Sequence, residues 1–227
     1  MMGKFALFAA AAAAMTLVGS PALAGTSDGR WQVKLLGTGV LPDGKITQVN
    51  TNTIGLPGGS QTKANDNVVP TLAIEYYLSP ALSVETICCL TQHHIDGAGA
   101  ISGTRIVDHV LILPATATLK YHLDTGMGFA PYVGAGPSLF LYFDEKPGAT
   151  TRALGGTSLN LSNRVGAVLQ AGVDIPINAR GMGVSFDAKR YFMRTTLHVR
   201  NAGGAEVLQT DHKLDPWVLS GGLYYRF

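Results

Sequence analysis

The chain has 227 residues, a formal net charge of +2, 46% hydrophobic residues and only 14% charged ones, against about 25% charged in an ordinary soluble domain. So balanced a charge excludes a nucleic-acid binder, which needs a basic patch. After Ala24 there is no apolar run of the roughly 20 residues that a membrane-crossing helix requires, so the apolar content must be placed in some other element.

Residues 1–24 read as a secretory signal peptide. Lys4 supplies the positive start, Phe5 to Val18 the short apolar run, and Ala22-Leu23-Ala24 a small-x-small cleavage site. Residues 25–227 then form one domain.

Trp31 to Leu41 is the first expected strand, with Trp31, Val33, Leu35 and Leu41 on one face and Lys34 and Thr38 on the other. Residues 42–70, rich in Gly, Asn, Thr and Pro, read as a long loop in which Ile46 to Gly55 alternates weakly. Thr71–Leu78 and Leu82–Leu90 follow as a hairpin about Ser79-Pro80-Ala81, with Glu75, Glu85 and Ile87 facing inward. Cys88 and Cys89 are adjacent. On a strand they point to opposite faces and cannot bridge each other.

Gln92 to Asp108 reads as a second polar loop. Its His93, His94 and Asp96 lack a further well-placed ligand, so no metal site is assigned. The clearest signal is the hairpin from 110 to 143. Leu113, Ala115, Ala117, Leu119, Tyr121 and Leu123 share one face, and Thr116, Thr118, Lys120 and His122 share the other. Asp144–Thr157 is a third loop. Arg164–Ile177 alternates again, with Arg164, Gln170 and Asp174 inward. Gly183–His198 is irregular: its outward parity runs through Phe186 to Arg190 and Arg194, which sets those arginines in a headgroup layer or requires a bulge. Asn201–Lys213 is the fourth loop, and Trp217 to Phe227 the last strand.

The expected architecture is all-β: an eight-stranded antiparallel transmembrane barrel with short periplasmic turns and four longer extracellular loops. Lipid demands closure, because an open edge would strand backbone donors and acceptors in hydrocarbon. A soluble sandwich shows the same alternation in any one hairpin. The recurrence of the pattern between a signal peptide and a terminal phenylalanine distinguishes the barrel.

The segments LPATATLKYHL (113–123), PYVGAG followed by LFLYFD (131–144), PTLAIEYYLSPALSVE (70–85) and DPWVLSGGLYYRF (215–227) resemble the OmpW family of outer-membrane proteins. The resemblance implies a narrow barrel that helps small hydrophobic molecules across the outer membrane, with no catalytic motif and no cofactor. The competing class is a structural or receptor barrel whose loops or anchor carry the function. An enzyme acting on lipid would need a His–Ser–acid group near the outer rim. His109, His198 and His212, with Ser102, Asp108 and Asp211, supply the residue types but no diagnostic spacing, so no catalytic residue is assigned.

Inward parity gathers Lys34, Glu75, Glu85, Lys120, Arg164, Asp174, Asp187 and Lys189 as an expected charge network plugging the periplasmic half of the lumen. Above it Ile87, Ile112, Phe140, Tyr142 and Val168 would form an apolar lining suited to a hydrophobic solute. A blocked passage would send that solute sideways between strands into lipid, where Pro114, Pro131, Pro137 and Pro176 remove ladder donors. Leu223, Tyr225 and Phe227 resemble the terminal signature read by the barrel-assembly machinery. Expected partners are outer-membrane lipid, that machinery and small hydrophobic solutes. Oligomeric state is left open.

Overall fold

The computed structural model describes residues 28–227. The signal-peptide reading of residues 1–24 lies outside the described residues. Eight strands close the barrel: β1 (Trp31–Leu41), β4 (Asn67–Ser79), β5 (Leu82–Cys88), β7 (Arg105–His122), β8 (Ala130–Pro147), β10 (Arg164–Pro176), β11 (Met182–Phe192) and β14 (Trp217–Arg226). Each pairs antiparallel with the next, and β14 returns to β1, with Leu35 opposite Leu223. Tight turns at 80–81, 123–129 and 177–181 mark one end, where the Trp31 N–H also donates to the Phe227 carbonyl at 2.9 Å.

Alternation explains the two surfaces. Leu35, Leu78, Leu119, Val133, Val165, Leu169, Phe186 and Leu223 stand exposed around the outside. A continuous outward apolar band on this scale is what a lipid-facing barrel presents and a soluble monomer does not. Cys88, the last residue of β5, is exposed, and Cys89, just beyond it, is buried.

The strands do not stop at the edge of the band. β7 and β8 each contain 18 residues, whereas about 9–11 suffice to cross a bilayer. Much of what reads as loop in the sequence is strand: β2 (Lys45–Asn52), β3 (Ser60–Ala64), β6 (Thr91–Gly99) and β13 (Glu206–Lys213), joined at this end by β9 (Ser158–Leu161) and β12 (Arg194–Arg200). One short helix, α1 (Ala149–Ala153), follows β8. At this loop end the wall divides into two sheets, β3-β6-β7-β8 and β2-β13-β12-β9. The irregular strand expected over 183–198 resolves into β11 and β12, with the break at Met193. Its N–H donates to Asp215 Oδ1 at 2.9 Å instead of joining a ladder.

Between β7 and β8 the register is the same at Thr116–Ser138 and at Leu119–Ala135, so Gly136 lies within a continuous stretch of the seam. A Cβ at Gly136 would overlap the Ala117 carbonyl, while one at Gly37 would have its nearest neighbour at 3.9 Å. Gly136→Ala should therefore destabilise the barrel by about 1–3 kcal/mol, and Gly37→Ala should be nearly neutral. The urea midpoint of each refolded variant in detergent checks this.

Candidate functional site

Glu75 on β4 and Glu85 on β5 are directly opposite each other. Both are buried inside the barrel, at 0% and 2% exposure. Two carboxylates so placed repel, and the neighbouring strands supply the cations. Lys34 Nζ on β1 lies 3.0 Å from Glu75 Oε2 and 3.2 Å from Glu85 Oε2. Lys120 Nζ on β7 lies 2.8 and 3.0 Å from the same two oxygens. The Tyr132 ring lies beneath Lys120 Nζ at 3.7 Å from its centroid, a cation–π contact.

The cluster continues to both sides. Asp174 accepts from Gln32 Nε2 at 2.9 Å and Ser185 Oγ at 2.5 Å, and lies 3.3 Å from Lys34. Asp187 accepts from Tyr132 Oη at 3.0 Å and Gln170 Nε2 at 2.6 Å. Lys189 lies 2.6 Å from Asp187 and 3.2 Å from Glu85. His122 Nε2 is 2.9 Å from Glu75 Oε1. Seven of the eight charged residues grouped by parity thus meet in one network.

Arg164 does not join it. It begins β10 at the loop end, ten positions from Asp174, and opens onto the outer surface. Parity assigns no height, and its face fails at a strand end: β11 stops at Phe192 opposite Ala167, so at Arg164 β10 is paired with β8 alone. Gln32, Tyr77, Ser83, Tyr132 and Ser185 are network members that the charge-based reading passed over. Their inward parity was the available signal.

Above the network lies an apolar cavity of about 70 Å³. Ile87, Ile112, Phe140 and Tyr142 line it, together with Val40, Val110, Leu197 and Val218. Val168 is fully buried in the adjoining core and does not line the cavity. Phe140 and Tyr191 meet edge-on at 5.4 Å. The cavity is far smaller than the 300–1,000 Å³ of a typical ligand pocket. A bound solute must therefore displace the walls.

Two histidines reach the cavity from the loop-end sheets. His93 Nδ1 donates to the Asn65 carbonyl at 2.8 Å. His94, its neighbour, turns outward to Asp96 at 3.5 Å, so the two do not converge on one point. His212 lies between Thr210 Oγ1 at 2.8 Å and Thr62 Oγ1 at 3.4 Å. Burial pushes the His212 imidazole from 6.5 down to about 4, against a smaller upward pull from Asp211, and burial also lowers His93. Both are neutral at pH 7, which keeps the cavity uncharged.

At the carboxyl terminus, Leu223, Tyr225 and Phe227 face outward and exposed, with the last two rings stacked at 5.8 Å.

Replacing Glu75 and Glu85 together with Gln leaves Lys34 and Lys120 buried without their shared acids. The expected loss is about 3–5 kcal/mol, read as a lowered temperature for the folded-to-unfolded band shift on gels. For His212, the unfolded chain takes up a proton below about 6.5 and the folded chain only near 4. Stability is therefore full above pH 6.5 and falls as pH drops from there to 4. His212→Asn should flatten that part of the pH profile of urea midpoints.

The model of the OmpW family matches residues 27–227. An uncharacterized outer-membrane protein, y4mB, of Sinorhizobium fredii is 33% identical and covers 98% of this chain and 93% of its own length. Outer membrane protein W of Escherichia coli is 31% identical over 77% of this chain and 79% of its own. Among solved structures, OprG of Pseudomonas aeruginosa superposes with a TM-score of 0.76 at 22% identity, covering 90% of this chain and 99% of OprG. AlkL, solved in lipid bilayers, superposes at 0.71 with 23% identity over 94% of this chain and 97% of AlkL. These two likenesses concern the fold. The chain belongs to the OmpW family and is a β-barrel protein of the cell outer membrane.

Proposed function

We propose that this barrel gives small hydrophobic molecules passive passage across the outer membrane. The observation that carries the reading is the stacking of an apolar cavity, lined in part by residues of the loop-end sheets, directly above a fully buried charge network. An apolar solute gains by leaving water for such a lining. It would gain nothing from displacing seven charged side chains that already satisfy one another. Downward transit is therefore unfavourable and the exit is lateral.

The β7–β8 seam is the place for it. Outside the wall, a groove of about 360 Å³ is floored by Ala115, Thr116, Ala117, Pro137 and Ser138. On the lumen side, Thr116 Oγ1 lies 2.9 Å from Ser138 Oγ and 3.3 Å from the Tyr191 hydroxyl that borders the cavity. Small side chains and a proline leave little wall to move here. Leu223, Tyr225 and Phe227, exposed at the terminal strand, are assigned to recognition by the barrel-assembly machinery.

Liposomes carrying the refolded protein should take up a hydrophobic fluorescent probe while passing little ion current. Current without uptake, or neither from a folded barrel, would reject the reading. In a background with Cys88→Ser and Cys89→Ser, adding Thr116→Cys and Ser138→Cys should allow the seam to be locked by oxidation. Uptake should fall on oxidation and return on reduction. Unchanged uptake in the locked form would place the exit elsewhere.

A further inference from the structure

On the outer surface, at the upper limit of the lipid-facing band, lies an open cleft of about 730 Å³. Its lower wall is apolar: Val165 and Phe192, both exposed. Its upper wall is the outward face of the β2-β13-β12 sheet, with Thr47, Gln48, Thr196, Arg194 and Lys213. Arg164 enters from the start of β10.

The charge arrangement is unusual for a sheet. Lys213 is directly opposite Arg194 on one side and Lys45 on the other, so three cations form a row across three strands. Such a row is destabilising unless something neutralises it. The acids present do so incompletely. Asp215 is taken up by Lys213 at 2.9 Å and by the Met193 N–H. Asp211 accepts from Asn50 Nδ2 at 3.1 Å and Thr196 Oγ1 at 2.7 Å, and Arg164 is near enough to lower its carboxyl further. Among the described residues, Arg194 and Lys45 have neither an ion pair nor a hydrogen-bonded acid.

The height of the cleft is set by its neighbours. Trp217 ends the lipid-facing part of β14 and lies under Arg190, whose guanidinium is 5.2 Å from the ring and which pairs with Asp43 at 3.1 Å. An exposed tryptophan at the end of an apolar band marks the membrane interface. The cationic row is the next level outward, where lipid phosphates lie.

We propose that this cleft binds a phosphorylated glycolipid of the outer leaflet, of the lipid A class. Arg164, Arg194 and Lys45 would hold its phosphates, and its acyl chains would run down over Phe192 and Val165. Guanidinium groups suit this role because they donate to phosphate oxygens in pairs. The inference rests on the membrane placement of the barrel, not on what passes through its lumen.

The test is native mass spectrometry of the detergent-solubilised full chain, titrated with diphosphorylated lipid A and with the same lipid after dephosphorylation. The phosphorylated form should bind more tightly, and Arg164→Gln and Arg194→Gln should each weaken it about fivefold. Arg180→Gln, on a turn at the opposite end, should leave binding unchanged. All three sites are exposed, and the gel band shift on heating verifies that each variant folds. Should either arginine variant unfold, Lys45→Gln tests the same row. Equal binding of the two lipids, or full affinity in Arg164→Gln with Arg194→Gln, would overturn the proposal. Displacement of the lipid by millimolar inorganic phosphate would also overturn it, by revealing a site for the free anion.

Discussion

The barrel depends on how it resolves one repulsion. Glu75 and Glu85 face each other across adjacent strands, buried in the barrel interior. Neither could remain charged there alone. Lys34 approaches from the strand on the far side of β4, and Lys120 from the strand on the far side of β5. Four consecutive strands, β1, β4, β5 and β7, are thereby fixed about two carboxylates. Through Gln170, Lys189 and Asp187, Glu85 draws in β10 and β11, and through Lys34, Asp174 adds a second hold on β10. A barrel of eight strands has an interior just wide enough for side chains to fill. Here the filling is ionic: Glu75 and Glu85 each have more than one cation, whereas Asp174 has Lys34 alone and Asp187 has Lys189 alone.

That polar filling occupies one storey only. The inward residues change character along each strand: Glu85 is followed by Ile87 on β5, with Cys89 buried just beyond its end, and Lys189 by Tyr191 on β11. On β7 the sequence runs the other way, from Val110 and Ile112 down to Lys120 and His122, as an antiparallel neighbour requires. The lumen is therefore graded from apolar at the extracellular end to ionic at the periplasmic end. On the proposed reading, that gradient admits an apolar solute and then turns it toward lipid.

Much of this gradient was legible in the sequence, because period-2 alternation fixes which face a residue shares. It grouped Glu75, Glu85, Lys120, Lys34, Asp174, Asp187 and Lys189 without knowledge of strand pairing. Height was not legible. Arg164 has the inward parity of Asp174, yet lies a full strand length away, because shear and strand tilt are set by neighbours and not by the strand itself. The extensions β6 and β13 escaped for another reason. Their outward positions face water above the membrane and carry Gln, Asp and Lys, while Thr and His occupy inward ones, so little apolar periodicity remains to read. Nor does any local pattern announce the break at Met193. Its N–H is drawn off by Asp215, 22 residues away.

The division of the wall into two sheets sets the level of the membrane independently of the apolar band. An unpaired strand edge is prohibitive in hydrocarbon and tolerable in water. Where β2 meets β3, side chains replace the ladder: the Ile46 N–H donates to Gln61 Oε1 at 3.0 Å, and Gln61 Nε2 donates to the Ile46 carbonyl at 3.4 Å. Between β8 and β9, Asn163 Oδ1 accepts from the Tyr142 N–H at 3.0 Å and Asn160 Nδ2 donates to Glu145 at 3.2 Å. Polar seams of this kind can exist only above the hydrocarbon, so its upper limit lies below Ile46 on one side and below Asn163 on the other. Lys45 and Arg164 are the residues next to those two positions. The wall opens at the level where the outward cations begin, because both features answer to the same boundary between lipid and water.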